Sequence, residues 1–193
     1  MNICVFGASS NRLDNVYFEQ AEALGLAMAK AGHTLVFGGG ASGLMGACAR
    51  GVRKAGGDIV GIAPRFFDEP GILLKDYGRL IFTETMSERK TLMEDKAEAF
   101  IALPGGIGTY EEFFETLTLK QLGRHSKPMA LLNTLGYFDP MVEMLEKTAE
   151  SGFMSRSCLE LFALCRTPEE AVEHCAKGDR EPVSIRHLEE YCR

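Results

Sequence analysis

The chain has 193 residues, of which 46% are hydrophobic and 25% are charged, and its formal net charge at pH 7 is −6. This length and composition are typical of one globular domain with a substantial core. The negative charge argues against a nucleic acid as the main partner, although a small phosphate ester can still bind through a few local donors.

Short apolar runs alternate with helix-forming segments along the chain. Strands are predicted at residues 3–6, 34–37, 58–62, 80–82, 99–103, 128–132 and 162–165. Helices are predicted at residues 17–31, 44–55, 86–96, 110–122, 139–151 and 167–177, and a loop at 64–75. This alternation predicts an α/β, Rossmann-like three-layer fold with a mostly parallel sheet.

The domain organisation follows from where the periodic pattern ends. No linker-like stretch or internal repeat interrupts residues 1–178, so we predict a single domain there. Residues 179–193 are charged and poorly periodic, which indicates a C-terminal tail.

The cysteines, the histidines and the chain start indicate the protein's surroundings. The cysteines contain no C-x-x-C pair, and their scatter favours reduced thiols at Cys4, Cys48, Cys158, Cys165, Cys175 and Cys192. Residues 1–6 enter a strand pattern without signal-peptide features, and no uninterrupted apolar stretch is long enough to cross a bilayer. The histidines share no ligand spacing with the cysteines. We expect a cytoplasmic protein with no metal site and no membrane partner.

Three loops rich in glycine or serine follow predicted strands, at residues 7–10, 38–40 and 105–108. In a parallel sheet such loops meet at the carboxyl ends of the strands, where ligands bind near the topological switch point. We therefore expect the three loops to converge on one edge of the sheet.

The loop at 105–108 lies between a buried strand and a helix expected to begin near Tyr110. Glycines at such a junction let backbone N–H groups surround an anion at the positive end of the helix. The alternative is that Thr109 caps the helix and Glu112 closes a capping box. Thr167 and Glu170 repeat this spacing with no glycines before them, and that second copy is predicted to be structural.

Two common nucleotide motifs are missing. Residues 7–11 are G-A-S-S-N rather than G-x-G-x-x-G, and Phe37 and Gly38 stand where a ribose-binding acidic residue is expected. No Gly-Lys-Ser/Thr follows any glycine cluster, so a Walker loop is also disfavoured. A mononucleotide phosphate remains consistent with the loops.

Arg89 and Lys90 lie in the first turn of the helix predicted at 86–96. One interpretation is a solvated basic pair on an exposed helix face. The other is that an anion lies nearby, because cations in a first turn oppose the helix dipole.

Together these segments resemble the Lonely Guy family of phosphoribohydrolases, long labelled lysine decarboxylases. The resemblance lies in M-x-x-R-K at 86–90, P-G-G-x-G-T-x-x-E at 104–112, the glycine motif at 38–46 and the segment at 121–128. One departure is Ser87, where many members have histidine.

The resemblance implies hydrolysis of the N-glycosidic bond of an N6-substituted adenosine 5′-monophosphate, giving the free base and ribose 5-phosphate, in cytokinin activation or nucleotide salvage. It implies a homodimer, and no cofactor is expected. Glu112 matches the motif glutamate, and we expect it to stabilise positive charge on the sugar, to hold ribose hydroxyls or to orient water. Arg89 matches the motif arginine and should orient the nucleotide rather than donate a proton.

The backbone of residues 106–109 is expected to hold the 5′-phosphate, with the Thr109 hydroxyl assisting. Thr118 also matches a family position, although six residues of helix rotate it away from Glu112. Met86 either borders the base or packs in the core. The predicted substrate-binding residues are Ser9, Gly39, Met86, Lys90, Gly105, Gly106, Ile107, Gly108, Thr109, Tyr110, Glu111 and Thr118.

Two alternatives remain open at this point. The same loop could hold a phosphate ligand in a non-catalytic sensor or carrier of mononucleotides. The older label of lysine decarboxylase would require pyridoxal phosphate on a lysine, for which no residue pattern argues.

Overall fold

The computed structural model describes residues 1–76 and 78–178, and within them it contains seven strands and six α-helices. The strands are β1 (Asn2–Phe6), β2 (Thr34–Phe37), β3 (Ile59–Pro64), β4 (Arg79–Thr83), β5 (Ala99–Ala102), β6 (Met129–Leu132) and β7 (Ala163–Cys165). The helices are α1 (Asn15–Lys30), α2 (Gly43–Lys54), α3 (Met86–Lys96), α4 (Ile107–Gln121), α5 (Asp139–Glu150) and α6 (Pro168–Lys177). The predicted alternation is confirmed. The clearest difference is α4, which begins three residues before Tyr110.

All seven strands form one parallel sheet in the order β4-β3-β2-β1-β5-β6-β7. The α/β prediction with a mostly parallel sheet is therefore confirmed. The chain order reverses at β1, which pairs with β2 on one side and with β5 on the other. The loops after β1 and β5 consequently leave neighbouring strands at the switch point, where parallel sheets bind ligands.

The two faces of the sheet carry separate apolar cores. In β1, Ile3 and Val5 face the layer that contains α1, α2 and α6, while Cys4 and Phe6 face the layer that contains α3, α4 and α5. This alternation is the two-residue period of a strand that is buried on both faces. The predicted three-layer arrangement follows from it.

Glycines bring α1 and α2 into backbone contact. A Cβ atom at Gly25 would lie 2.0 Å from the carbonyl oxygen of Cys48, and one at Gly51 would lie 2.0 Å from that of Glu22. No side chain fits in these gaps, so the two helices pack at minimal separation. This packing fixes the start of α2 beside the loop that follows β1.

Two helices begin with a complete capping box. At α6, Thr167 accepts a hydrogen bond from the Glu170 nitrogen and Glu170 accepts one from the Thr167 nitrogen, as predicted. Thr85 and Glu88 make the same arrangement at α3. Both carboxylates are therefore used to satisfy backbone donors.

The predictions about the cysteines, the C-terminal tail and membrane-spanning segments can be compared only with the described residues. The five cysteines among them are buried thiols, and Cys192 lies outside the described part of the chain. The predicted tail at 179–193 also lies outside the described residues. Among the helices of residues 1–76 and 78–178, none has the length and apolar character needed to cross a bilayer.

Candidate active site

The loops after β1 and β5 meet at the C-terminal edge of the sheet. The Ala8 nitrogen donates to the carbonyl of Pro104 at 3.0 Å, and the Leu44 nitrogen donates to the carbonyl of Ala8 at 2.8 Å. A Cβ atom at Gly105 would lie 3.0 Å from the Ala8 nitrogen. The expected convergence of these loops is therefore present, and the start of α2 joins them.

The N-terminus of α4 is open. Gly106 is the N-cap residue, and it has no side chain with which to cap this helix end. A Cβ atom at Gly106 or Gly108 would have no described atom within 4 Å, and Ile107 is 88% exposed. The first N–H groups of a helix have no partner within the helix and lie at its positive end. This end of α4 is thus suited to bind an anion.

Thr109 does not cap α4, so the interpretation of Thr109 and Glu112 as a capping box was wrong. The helix begins at Ile107, which places Thr109 inside the first turn with its side chain buried. Its hydroxyl lies directly beneath Gly105, where a Cβ atom would come within 2.0 Å of Oγ1. The glycine run moved the start of the helix upstream and left the Glu112 carboxylate available for another partner.

That partner is Arg89. Its Nη1 donates to Oε1 of Glu112 at 2.9 Å, and the two side chains are only 7% and 13% exposed. The Arg89 Nε also donates to the carbonyl of Ile62 at the end of β3, at 3.2 Å. The interpretation of Arg89 as part of a solvated basic pair was therefore wrong. The structure joins the two predicted catalytic residues in one buried ion pair between α3 and α4.

Gly38 makes room for this pair. A Cβ atom at Gly38 would lie 2.2 Å from Nη2 of Arg89. The sequence prediction named the next residue, Gly39, which has φ of +75° and is surrounded by Leu80, Leu73 and Ala63. Within the run of three glycines, Gly39 therefore serves the backbone turn and Gly38 serves the guanidinium.

Burial controls the protonation of Glu112. It raises the pKa of this carboxyl above its ordinary value of 4.5, and the charge and hydrogen bond of Arg89 offset part of that rise. Cys4 lies in the same environment, and burial raises the pKa of its thiol well above 9.0. The site therefore contains a carboxyl group that holds its proton more strongly than an exposed one and a thiol that stays protonated.

Lys90 pairs with different carboxylates from Arg89. Its Nζ lies 2.5 Å from Oε1 of Glu111 and 2.8 Å from Oε2 of Glu115. The hydrogen bond to Glu111 is the main cause that raises the pKa of Lys90 to about 12. The predicted binding residues Lys90 and Glu111 are thus paired with each other across α3 and α4.

Four other predicted binding residues lie outside the Arg89–Glu112 pair. Met86 begins α3 and is 39% exposed, and Ser9 is exposed beside Gly43. Tyr110 packs edge-on against Phe138. Thr118 is exposed more than a turn beyond Glu112, and its hydroxyl donates to the carbonyl of Phe114 in its own helix. The structure does not bring Thr118 into the Arg89–Glu112 pair.

One contact of the glycine loop could not be predicted from the sequence pattern. The hydroxyl of Tyr137 donates to the carbonyl of Gly105 at 2.6 Å, although the residues are 32 positions apart. No motif spacing connects a tyrosine after β6 with a loop after β5. The parallel pairing of the two strands brings them together.

Because ligands of parallel α/β proteins bind at the switch point, the fold and these loops define an α/β protein of Rossmann type with its site between β1 and β5. The family model described as "Possible lysine decarboxylase" matches residues 45–175. The cytokinin riboside 5′-monophosphate phosphoribohydrolase of Mycobacterium marinum is 40% identical over 160 residues, covering 83% of this chain and 86% of the relative. An Arabidopsis thaliana enzyme of the same name is 40% identical over 160 residues, covering 83% and 75%. The chain belongs to this family, the Lonely Guy family.

A solved structure has the same fold. The molybdenum cofactor carrier protein of Chlamydomonas reinhardtii superposes with a TM-score of 0.69 at 23% identity, covering 91% of this chain and 96% of that chain. At this level of identity the likeness concerns the fold alone.

The family description suggests pyridoxal phosphate, which decarboxylases bind through a lysine with a free amine. The lysines near the site do not fit that role. Lys90 is held by two carboxylates, and the Nζ atoms of Lys120 and Lys127 donate to the carbonyls of Leu161 and Glu94 at 2.7 Å. A Schiff-base lysine needs a lowered pKa, and that of Lys90 is raised. The described residues contain no group of three or more His, Cys, Asp or Glu side chains that could hold a metal ion.

Proposed function

We propose that this chain hydrolyses the N-glycosidic bond of N6-substituted adenosine 5′-monophosphates, releasing the free base and ribose 5-phosphate. The observation that carries the proposal is the buried Arg89–Glu112 ion pair, whose glutamate lies on the same helix that opens at Gly106. The curated relatives named above are phosphoribohydrolases of cytokinin riboside 5′-monophosphates, at 40% identity. Physiologically, the reaction serves cytokinin activation or nucleotide salvage.

The 5′-phosphate binds at the start of α4. The N–H groups of Ile107, Gly108 and Thr109 point out of the helix end, and the open space at Gly106 and Gly108 admits a phosphate without moving a side chain. The positive end of the helix dipole adds to the attraction. A protein with net charge −6 can thus bind an anionic mononucleotide locally.

Glu112 acts at the sugar. The C1′–N9 bond breaks and its electron pair leaves with the base, so positive charge develops on C1′ and the ring oxygen. The Glu112 carboxylate stabilises that charge and accepts a proton from the water whose oxygen bonds to C1′. The departing base takes up a proton from solvent at its ring nitrogen, and Glu112 releases the proton of the attacking water to solvent, so the protons balance. Because burial raises the pKa of Glu112, its carboxylate is a better proton acceptor than an exposed one.

Arg89 positions this carboxylate and meets the substrate. Its Nη1 holds Glu112 and its Nε is anchored on Ile62, so the plane of the guanidinium is fixed. The Nη2 atom lies beside Gly38, where any side chain would collide with the guanidinium. Arg89 therefore orients the nucleotide and balances charge, while Lys90 and Glu111 join α3 to α4 beside it.

A non-catalytic carrier is less favoured. A carrier needs the open helix end but has no use for a carboxyl group that is desolvated next to an arginine. Burying such a pair costs free energy of folding, and groups with perturbed pKa values of this kind cluster at catalytic sites. The fold likeness to a molybdenum cofactor carrier stands at 23% identity. The phosphoribohydrolases share nearly twice that identity with this chain.

The proposal extends to the protein's state in the cell. By family likeness we propose a homodimer in the cytoplasm, which light scattering and cell fractionation would check.

The test is a panel of nucleoside 5′-monophosphates scored for release of ribose 5-phosphate. We expect release from adenosine 5′-monophosphate and its N6-substituted forms, and its loss in Glu112→Gln. Glu115→Gln is the matched control, because Glu115 lies one turn further along α4 and contacts Lys90 rather than Arg89. Binding of nucleotides without any release would support the carrier instead.

A further inference from the structure

The Tyr137 hydroxyl contacts the one peptide unit of the glycine loop that has glycine on both sides. It donates to the carbonyl oxygen of Gly105 at 2.6 Å. That carbonyl belongs to the peptide between Gly105 and Gly106. Because neither residue has a side chain, this unit has the lowest barrier in the loop to rotating as a whole.

The geometry of a trans peptide relates this contact to the phosphate. In a planar trans unit the carbonyl and the following N–H point in opposite directions. Holding the Gly105 carbonyl toward Tyr137 therefore turns the Gly106 N–H to the opposite side. Gly106 is the exposed N-cap of α4, so its N–H lies at the same end of the helix as the open donors that follow it. A rotated peptide would put a carbonyl oxygen, and its negative partial charge, at that place.

Tyr137 is itself held rigidly by the turn after β6. The side chain of Asn133 donates from Nδ2 to Asp139 at 2.6 Å and accepts from the Phe138 nitrogen at 2.7 Å. Leu135 within this turn has φ of 54°, a left-handed conformation that is strained for a residue with a side chain. Such strain persists where the surrounding contacts over-determine the backbone, as they do on both sides of Leu135.

The ring of Tyr137 is fixed by neighbouring aromatic residues. It packs edge-on against Phe138 at 5.1 Å and against Tyr17 at 6.3 Å between ring centroids. Burial, together with a hydrogen bond to the Tyr137 hydroxyl, raises the pKa of Tyr110 to about 12. The two tyrosines thus link the turn after β6 to the first turn of α4.

We propose that Tyr137 is a positioning residue that locks the Gly105–Gly106 peptide in the orientation that binds phosphate, and so makes the enzyme selective for nucleotides over nucleosides. This inference rests on the proposed function. It assigns to the β6–α5 turn a role in substrate selection, at a place that no motif of the glycine loop includes.

The test is Tyr137→Phe, which keeps the ring and removes only the hydroxyl group. We expect KM for adenosine 5′-monophosphate to rise about tenfold with kcat changed less than about twofold, since the variant loses the hydrogen bond to Gly105 that orients the phosphate site. For adenosine, which has no phosphate, kcat/KM should stay within about twofold of wild type. Tyr17→Phe is the matched control, because it makes the same chemical change on the ring that packs against Tyr137.

A binding measurement separates this inference from the proposed reaction. Calorimetric titration with ribose 5-phosphate should show about tenfold weaker binding to Tyr137→Phe than to wild type or Tyr17→Phe. Unchanged affinity and unchanged KM would overturn the role of Tyr137 and leave the hydrolase intact. Equal losses of kcat/KM on nucleotide and nucleoside would also overturn it, because they would indicate a general structural effect. Absence of any release by the wild type would instead refute the proposed function.

Discussion

Helices α4 and α6 begin with the same Thr-x-x-Glu spacing and use it in different ways. At α6, Thr167 and Glu170 satisfy each other's backbone nitrogens. At α4, three glycines precede the pattern and the helix starts before the threonine, so Thr109 is buried inside the first turn and Glu112 pairs with Arg89. One helix end is closed by its own side chains, and the other is left open to a ligand.

The comparison shows what distinguishes a structural helix start from a binding one. A cap removes the need for an outside partner by satisfying the N–H groups within the chain. Glycines before the helix remove the cap, expose those groups and release the acidic side chain for chemistry. The difference lies in the residues ahead of the pattern rather than in the pattern itself.

The largest effect should separate the two glutamates. Glu112→Gln should lower kcat by about 100-fold or more, because a neutral amide neither stabilises charge on the sugar nor accepts a proton. Glu170→Gln should leave kcat unchanged, and also stability, because glutamine serves a capping box as well. Steady-state kinetics of both variants checks this, and comparable losses in the two would remove the distinction between the helix ends.

A second variant should move stability and affinity in opposite directions. Gly108 lies in α4, where an added Cβ atom would have no described atom within 4 Å. Gly108→Ala should therefore stabilise the ligand-free protein by about 0.5–1 kcal/mol through helix propensity. It should also raise the Kd for ribose 5-phosphate, since the methyl group enters the phosphate site. Urea denaturation and calorimetry measure the two effects, and tighter binding would contradict the position of the phosphate.

The pH dependence of activity should follow Glu112. In the proposed mechanism its carboxylate is the active form, and burial raises its pKa above 4.5, so kcat/KM should fall on the acid side with an apparent pKa above that value. Burial raises the pKa of Glu94 too, which makes Glu94→Gln a suitable control that should keep the same acid limb. An acid limb at or below 4.5 would show that Glu112 is not the group whose ionisation controls the rate.

Stability gives an independent check with a defined sign. Between pH 4.5 and the raised pKa, the folded protein still binds a proton at Glu112 that the unfolded chain has released. The free energy of unfolding therefore loses the contribution of this group as the pH rises through that window. Relative to wild type, Glu112→Gln should gain stability as the pH rises over the same interval in urea titrations. A relative gain of this variant as the pH falls would instead indicate that Arg89 lowers the pKa of Glu112 more than burial raises it.

The smallest effect concerns the closed helix end. Thr167→Ala should destabilise the protein by about 1 kcal/mol, because the Glu170 nitrogen loses its acceptor. The activity per folded molecule should not change. Thermal unfolding and kinetics below the transition check both statements, and loss of activity without loss of stability would assign α6 an unexpected role in the site.

Much of the fold was predictable because its signals are local. Apolar runs such as residues 99–103 and the alternating helices indicate a parallel sheet, and the glycine loops after strands indicate where a ligand binds. Thr167 and Glu170 were predicted correctly as a capping box. The beginning of α4 was misplaced, because glycine weakens helix propensity and the sequence pattern favoured a later start.

The details of the site depend on contacts that sequence spacing does not encode. Glu112 forms an ion pair instead of a cap because Arg89, 23 residues away in the sequence, is brought close to it by the fold. Gly38 and Gly39 are indistinguishable in sequence, and only the position of the guanidinium separates their roles. Tyr137 meets Gly105 only because β5 and β6 are paired. The substrate contacts of Ser9, Met86 and Thr118 stay predictions.

The central claim is that the start of α4 is the phosphate site and that the start of α6 is closed. A ¹⁵N-labelled sample titrated with ribose 5-phosphate tests it directly, with ribose as the unphosphorylated control. We predict shifts of the amide signals of Gly106, Ile107, Gly108 and Thr109 that ribose does not cause, while those of Glu169 and Glu170 stay in place. Unmoved signals at α4, or equal shifts with ribose, would contradict the account.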